Sequence, residues 1–306
     1  MSSNVATAYL FPGQGSQSVG MGRDLAAETD ARALWEEADD TLGYSLSKIA
    51  WEGPDAELQR TENAQPALLV ASLATLRVLA SRVVLSDAPA YVAGHSLGEY
   101  TALVAAGSLT FADALRLVRL RGELMAAEGD RVGGAMAAVM GLSADLVGSI
   151  SEEEGVDVAN RNSPEQTVVS GEVGAVARVV ERLRGAGARR VVPLPVSGAF
   201  HSRLMRPLAD RFAQAVADVS LSSPRILVIS NVSAQPLRDE AEIRRELVEQ
   251  LYSPVEWVRT LEYLHTHGVT RYIEVGPGKV LTGLVRRTLP GAEAIASDSL
   301  LPAAVG

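Results

Sequence analysis

The 306-residue chain contains no cysteine, which excludes disulfides, thiolate catalysis and cysteine–zinc sites together. Lysine is nearly absent: only Lys48 and Lys279 occur, so the basic residues are almost all arginine. Histidine is scarce too, with His95, His201, His265 and His267, which leaves few candidates for a general base. No apolar run reaches the ~18 residues needed to span a bilayer. The start, Met1-Ser2-Ser3-Asn4, has neither a basic n-region nor an apolar h-region, so a cytoplasmic protein without a membrane partner is expected. A net charge of −9 argues against nucleic acid as the main partner. The hydrophobic fraction of 47% is ample for one large domain or two unequal lobes.

What the chain does have is Gly94-His95-Ser96-Leu97-Gly98, set between an apolar strand, Ala90-Tyr91-Val92-Ala93, and an apolar helix from Leu97 to Ala106. A serine nucleophile must project from a sharp strand-to-helix turn, where flanking side chains would crowd it. Glycines two positions before and two after the serine relieve that crowding. The helix start also points unpaired backbone N–H groups at the site, where they can stabilise an oxyanion.

Hydrophobic patterning predicts an α/β protein. Val5 to Phe11 reads as a first strand, running into the polar turn Pro12-Gly13-Gln14-Gly15-Ser16-Gln17. Helices are predicted at about 31–42 and 64–82, and an amphipathic one from Phe111 to about Ala127. From Gly133 the texture changes. Ala135–Met140, Val156–Ala159, Thr167–Ser170 and Arg190–Leu194 read as strands, and Ser143–Glu153 and Val173–Gly185 as helices. That β-α-β-β-α-β order is the split ferredoxin-like unit. The main pattern then resumes with a helix from Leu204 to Val219, a strand Ile226–Ile229 ending at Ser230-Asn231, and helices around 239–251 and 255–267. A strand Arg271–Val275, a helix to about Thr288, a final strand Ala292–Ser297 and a loose tail Leu300–Gly306 complete it. The expected division is a large lobe of residues 1–130 and 199–306 and a small lobe of residues 131–198.

Ser96 needs a base. The sharp turn should send the His95 ring away from the serine oxygen. His265 and His267 form a lone His-x-His, and two ligands are too few for a metal site, so a solvated helix face is the better reading. His201 remains. In Val196-Ser197-Gly198-Ala199-Phe200-His201-Ser202 it follows a predicted strand and precedes a helix, where α/β proteins place catalytic groups. The alternative is a core histidine. A hydrolase triad would add a carboxylate between serine and histidine in chain order. Asp113, Asp130, Asp145 and Asp157 lie in that interval without a strand-end context, which favours a Ser–His dyad oriented by a backbone carbonyl or an amide side chain.

Arg121 lies three or four positions from Leu117, Val118, Leu124 and Met125, on the apolar stripe of its helix. Arg116 and Arg119 have Asp113 and Glu123 beside them and are expected in solvent. A buried guanidinium must find an anion, either an internal carboxylate or a substrate carboxylate in a bidentate clamp. The Gly13-Gln14-Gly15 turn lacks the third glycine of a dinucleotide fingerprint and the Lys-Ser/Thr of a P-loop. A Gln14 backbone N–H aimed at the oxyanion is a better use of it.

Taken in order, these segments resemble the malonyl-CoA:acyl-carrier-protein transacylase family, which includes the acyltransferase domains of polyketide synthases. The likeness runs through Phe11-Pro12-Gly13-Gln14-Gly15-Ser16-Gln17, Gln65-Pro66-Ala67, Gly94-His95-Ser96-Leu97-Gly98-Glu99-Tyr100 and Arg121-Gly122-Glu123-Leu124-Met125. It continues through Gly198-Ala199-Phe200-His201-Ser202, Gln250-Leu251-Tyr252-Ser253-Pro254-Val255 and Glu274-Val275-Gly276-Pro277-Gly278, nearly the whole chain.

The resemblance implies an α/β-hydrolase-like large lobe with a central, mostly parallel sheet and an inserted ferredoxin-like (βαββαβ) small lobe. It implies Ser96 as nucleophile, His201 as base and Arg121 as partner of the malonyl carboxylate. Gln14 and Leu97 would supply oxyanion-hole N–H groups, and the Gln250 backbone carbonyl would orient His201. His95, Met125 and Phe200 would line the acyl pocket, with Asn160 and Asn162 near the pantetheine arm. The implied reaction is ping-pong, with no cofactor: malonyl passes from malonyl-CoA to Ser96, then to the phosphopantetheine thiol of an acyl carrier protein.

One segment departs from the stand-alone fatty-acid enzymes, which often carry a small residue such as serine before the histidine. Ala199-Phe200 is more like malonyl-selective polyketide domains, and a phenylalanine there should crowd an α-methyl branch, favouring malonyl over methylmalonyl. The pathway stays open between fatty-acid and polyketide synthesis, including an acyltransferase with another acyl group serving a polyketide synthase in trans. A thioester hydrolase shares the dyad and differs only in whether water reaches the acyl-enzyme. Carrier protein and CoA are both acidic, so a net-negative chain needs a local basic patch, with Arg184, Arg189, Arg190, Arg203, Arg206, Arg286 and Arg287 as candidates. With no coiled coil or dimer stripe, a monomer is expected.

Overall fold

The computed structural model describes residues 6–82, 85, 88–196 and 198–301. Met1–Asn4, Val5 at the expected start of the first strand, Ser197, and the tail beyond Leu301 lie outside the described residues. Ten strands are present among the described residues: β1 Ala6–Phe11, β2 Tyr91–Gly94, β3 Gly134–Met140, β4 Asp157–Ser163, β5 Gln166–Glu172, β6 Arg190–Pro193, β7 Leu227–Ile229, β8 Pro236–Leu237, β9 Val269–Glu274 and β10 Glu293–Ala296. The α-helices are α1 Thr29–Leu42, α2 Leu46–Glu52, α3 Asp55–Gln59, α4 Thr61–Ser81, α5 Gly98–Ala105 and α6 Phe111–Val132. They continue with α7 Ala144–Glu153, α8 Val173–Gly185, α9 Ala209–Asp218, α10 Glu240–Glu249, α11 Trp257–Thr266 and α12 Val280–Thr288.

The strands divide into two sheets. One has the order β10-β9-β1-β2-β7-β8 and is parallel throughout, apart from the short antiparallel β8 at its edge. Helices cover both faces, so β1 and β2 read as continuous apolar runs rather than alternating ones. The other sheet has the order β4-β5-β3-β6 with every pairing antiparallel, and α7 and α8 close its apolar core through Val147, Val176, Val179 and Leu183. Its chain order is β-α-β-β-α-β, the ferredoxin-like arrangement. The fold is therefore a mostly parallel α/β lobe carrying a separate antiparallel α/β lobe.

The central helix α4 corrects one expectation. It is long and apolar enough to cross a membrane, yet it is a core helix, with 78% of its most apolar window buried inside the fold. Pro66 sits inside it and has no N–H to offer the Glu62 carbonyl four residues earlier. Arg119 Nη1 takes that carbonyl instead, at 3.0 Å, and also donates to Asn63 Oδ1 and to the Tyr44 hydroxyl. Arg119 is thus a cross-helix tie rather than the solvated residue its Glu123 neighbour suggested. The two helices meet closely at Gly122, where an added Cβ would come within 2.7 Å of Glu62 Cα.

Other differences have local causes. The helix expected to end near Ala127 runs on to Val132, and Gly133 stops it in a left-handed conformation at φ 62°. The stretch from 204 to 219 splits at Pro207 into a 3₁₀ segment, Arg203–Leu208, and α9. The sequence reading missed α2 and α3, which are too short to show a helical period.

The two sheets are joined beside the site. Asn160 of β4 forms a parallel bridge with Val255, with Arg161 N–H donating to Val255 C=O and Val255 N–H to Ala159 C=O, both at 2.9 Å. Arg161 pairs with Glu256 at 2.6 Å and Arg203 with Asp157 at 2.6 Å, each across the same junction.

Candidate active site

Strand β2 delivers Ser96 to the turn and α5 leaves it. A Cβ on Gly94 would lie 1.9 Å from the Gly98 carbonyl carbon, and one on Gly98 would lie 2.1 Å from Phe11 O. A Cβ on Gly13 would come within 2.4 Å of His95 O. Three backbone-to-backbone approaches therefore build the turn, and each needs a glycine. Ser96 itself is held at φ 51° and His201 at φ 57°, a left-handed conformation that few side chains adopt.

The structure brings these two residues together across 105 positions: Ser96 Oγ lies 2.7 Å from His201 Nε2. The tautomer follows from the other ring nitrogen. His201 Nδ1 faces the carbonyls of Gln250 at 2.8 Å and Ser253 at 3.2 Å, which can only accept, so Nδ1 carries the proton and Nε2 accepts from the serine hydroxyl. None of Asp113, Asp130, Asp145 and Asp157 reaches the ring; Asp157 is taken by Arg203. Burial, and next the positive charge of Arg121, push the imidazole down to about 3. It is a neutral base at ordinary pH.

Arg121 is 1% exposed. Its Nη2 donates to Ser96 Oγ at 3.1 Å and to Gln250 Oε1 at 2.9 Å, and its Nη1 donates to Gln65 Oε1 at 2.8 Å. Its Nε is buried without a hydrogen-bond partner. Two neutral amides and a hydroxyl position the guanidinium, and no carboxylate among the described residues touches it. That arrangement leaves its charge and a donor available to an incoming anion.

The backbone N–H groups of Gln14 and Leu97 donate to no group among the described residues. The Ser96 N–H is not free: it donates to Asn231 Oδ1 at 2.7 Å. His95 is engaged elsewhere than on the serine oxygen: its Nε2 is 2.7 Å from Asn162 Oδ1 and its ring tilts against Trp257 with centroids 5.3 Å apart. Burial lowers its basicity.

Ser96, His201 and Arg121 open onto a cavity of ≈160 Å³ lined also by Gln14, Leu97, His95, Met125, Asn160 and Phe200. That is well below the ~300 Å³ of common small-molecule pockets and suits a short acyl group. Asn162 does not line it, its amide being spent on His95. A larger cavity of ≈840 Å³, beside residues 20–25 and Gly276-Pro277-Gly278, contains none of these groups. Phe200 folds back over Gly198, where a Cβ would meet its ring at 2.2 Å.

Three side chains in this cluster were not anticipated: Asn231, Gln65 and the amide of Gln250. Asn231 lies two residues past the end of β7 in the parallel sheet, whereas His201, expected at a strand end, lies eight residues past β6, an edge strand of the antiparallel sheet.

Known proteins bear directly on this arrangement. The acyl transferase domain family model matches residues 8–304. The chain belongs to that acyl transferase family. It is 46% identical over 286 residues to the malonyl CoA-acyl carrier protein transacylase of Bacillus subtilis, covering 92% of this chain and 89% of that one. Among solved structures it resembles an acyl carrier protein S-malonyltransferase from Vibrio cholerae, with a TM-score of 0.91 and 43% identity, covering 95% and 96% of the two chains. It resembles equally a malonyl-transacylase solved with its type II PKS acyl-carrier protein, with a TM-score of 0.90 and 41% identity over 95% and 94%. This acyl transferase shares the two-lobe fold of these relatives.

Proposed function

We propose that this acyl transferase moves a malonyl group from malonyl-CoA to the phosphopantetheine thiol of an acyl carrier protein, through an ester on Ser96. The observation that carries the reading is a single constellation: a nucleophile 2.7 Å from a neutral imidazole and 3.1 Å from an arginine without a carboxylate partner. An uncharged acyl group would not require a buried cation at the nucleophile.

The acyl carboxylate docks on Arg121, displacing its contact with Ser96 Oγ. His201 Nε2 takes the Ser96 proton as the oxygen attacks the thioester carbon. The resulting oxyanion lies against the N–H groups of Gln14 and Leu97. Collapse expels the CoA sulfur, which receives the proton from His201, and leaves malonyl-serine. The carrier thiol then gives its proton to His201, attacks the ester, and restores Ser96 as the proton returns to its oxygen. The Gln250 carbonyl keeps the base in the correct tautomer throughout. A thioester is already electrophilic and His201 carries every proton, so this chemistry calls for no cofactor. Asn160 lines the cavity wall, which supports its expected role beside the pantetheine arm.

The carrier is acidic, and several basic candidates are already engaged: Arg184 with Glu181, Arg189 with Glu165 and Arg203 with Asp157. Arg190 and Arg287 are exposed and outside those pairs, which makes them the stronger candidates for the carrier surface. The remaining attributes of the reading are a cytoplasmic monomer in fatty-acid or polyketide synthesis, without nucleic-acid or membrane partners.

Intact-protein mass after brief mixing with malonyl-, methylmalonyl- or acetyl-CoA tests the reading, with Ser96→Ala as control. A malonyl adduct that needs Ser96 and forms preferentially from malonyl-CoA is expected. CoA release without an adduct would instead identify a hydrolase.

A further inference from the structure

Behind the serine and histidine lies a carboxyl group that the mechanism above does not use. Glu99, in the first turn of α5, is fully buried. Its Oε1 accepts from the Asn231 backbone N–H at 2.8 Å and from Asn231 Nδ2 at 3.0 Å. Its Oε2 accepts a short bond from Gln250 Nε2.

Each group that Glu99 holds goes on to hold a reacting residue. Asn231 Oδ1 accepts the Ser96 N–H at 2.7 Å, while its Nδ2 donates to the Gly94 carbonyl at 2.7 Å. Gln250 Nε2 donates to the Ser96 carbonyl at 3.0 Å, its Oε1 accepts from Arg121, and its backbone carbonyl accepts from His201. The amide orientations are fixed by chemistry. A guanidinium can only donate and a peptide carbonyl can only accept, so neither amide can flip without facing like against like.

We propose that Glu99 is a positioning residue of the acyl-transfer reaction, acting through the amides of Asn231 and Gln250. On one side it pins both peptide groups of the Ser96 turn, whose left-handed conformation is unfavourable on its own. On the other it fixes the Gln250 side chain, and with it the face that Arg121 presents to the acyl carboxylate. The inference rests on the malonyl-transfer reading.

Glu246 of α10 completes the arrangement. Its charge acts on Glu99, and it accepts from Ser230 Oγ at 2.6 Å and Val232 N–H at 3.0 Å. Burial, first, and then mutual repulsion raise Glu99 well above the usual carboxylate range, and burial raises Glu246 too. Glu99 reaches Arg121 through one amide, that of Gln250. A carboxylate in direct contact with Arg121 would compete with the substrate; the Glu99 carboxyl group, held one amide away by Gln250, leaves the substrate edge open.

The test compares Ser96 acylation rates from malonyl-CoA and acetyl-CoA in Glu99→Gln, Gln250→Met and the double variant, beside the wild type. In Glu99→Gln an amide nitrogen faces Gln250 Nε2, or one faces Asn231, and nitrogen cannot accept there. The malonyl rate should fall at least about tenfold more than the acetyl rate, the scale of a displaced charged hydrogen bond. That ratio does not depend on how much protein is folded, so a purely structural role would leave it unchanged. Gln250→Met should lower the ratio similarly, and the double variant no further. An unchanged ratio in Glu99→Gln, or losses that multiply in the double variant, would overturn the proposal. Should Glu99→Gln fail to fold, Gln250→Met decides alone, and an unchanged ratio there overturns it. Failure of the underlying reading is separate: the wild type would then form no Ser96 adduct.

Discussion

Arg121 Nη2 donates to Ser96 Oγ across 3.1 Å, so cation and nucleophile are in contact before any acyl group arrives. The guanidinium rests on the amides of Gln65 and Gln250. Removing it should therefore act on the substrate's charge more than on the scaffold. Arg121→Ala is expected to reduce malonyl transfer about 10²-fold, the value of a buried charge-assisted pair, and to shift preference toward acetyl-CoA. Competing the two thioesters and weighing the acyl-enzymes measures this directly. Retained malonyl preference would make Arg121 structural.

His201 is held at about 3 by burial and by Arg121, whereas a free imidazole titrates near ~6.5. A histidine kept neutral is a competent base throughout the range between. The kcat/KM for acylation should stay level from about pH 8 to about pH 5, with no limb near ~6.5. The same depression weakens the fold in acid. Below about pH 6.5 the unfolded chain takes up a proton that the folded chain refuses, so this contribution to stability falls steadily toward about 3. Urea unfolding of wild type and His201→Gln at neutral and mildly acidic pH should show less acid loss in the variant.

Phe200 reaches the acyl cavity only because Gly198 leaves room for its ring. Phe200→Ala should raise methylmalonyl acylation relative to malonyl by about tenfold, within the ~1–3 kcal/mol that one methyl group is worth in a pocket. Methylmalonyl rates unchanged by the truncation would place the selectivity elsewhere in the wall.

Periodicity made some of the site legible and not the rest. Arg121 was visible because its spacing from Leu117 and Leu124 put it on a buried stripe. The same logic reaches Glu246 and Gln250, which share a stripe with Ile243 and Leu247, but the helix around them is so charged that the stripe reads as solvent-facing. His201 was separable because so few histidines compete with it, although the strand expected to deliver it ends eight residues earlier at Pro193; the residue that does follow a strand of the parallel sheet is Asn231, after β7. What no local pattern carries is the partnership itself. Glu99 meets Asn231 across 132 positions and Gln250 across 151, distances set by sheet order and not by any spacing in the chain. The small lobe was easier, because four consecutive strands and two helices pack on one another within about sixty residues.

The bridge between Asn160 and Val255 has a consequence for recombination. The segment whose carbonyls hold His201 at Gln250 and Ser253 is continuous with the segment that β4 grips at Val255 and Glu256. A chimera exchanging only the inserted lobe would carry Asn160 and Arg161 into a seat shaped by a foreign loop, and the mismatch would fall on the base. Residues 250–256 belong, for purposes of grafting, to the inserted lobe from which they are separated in sequence.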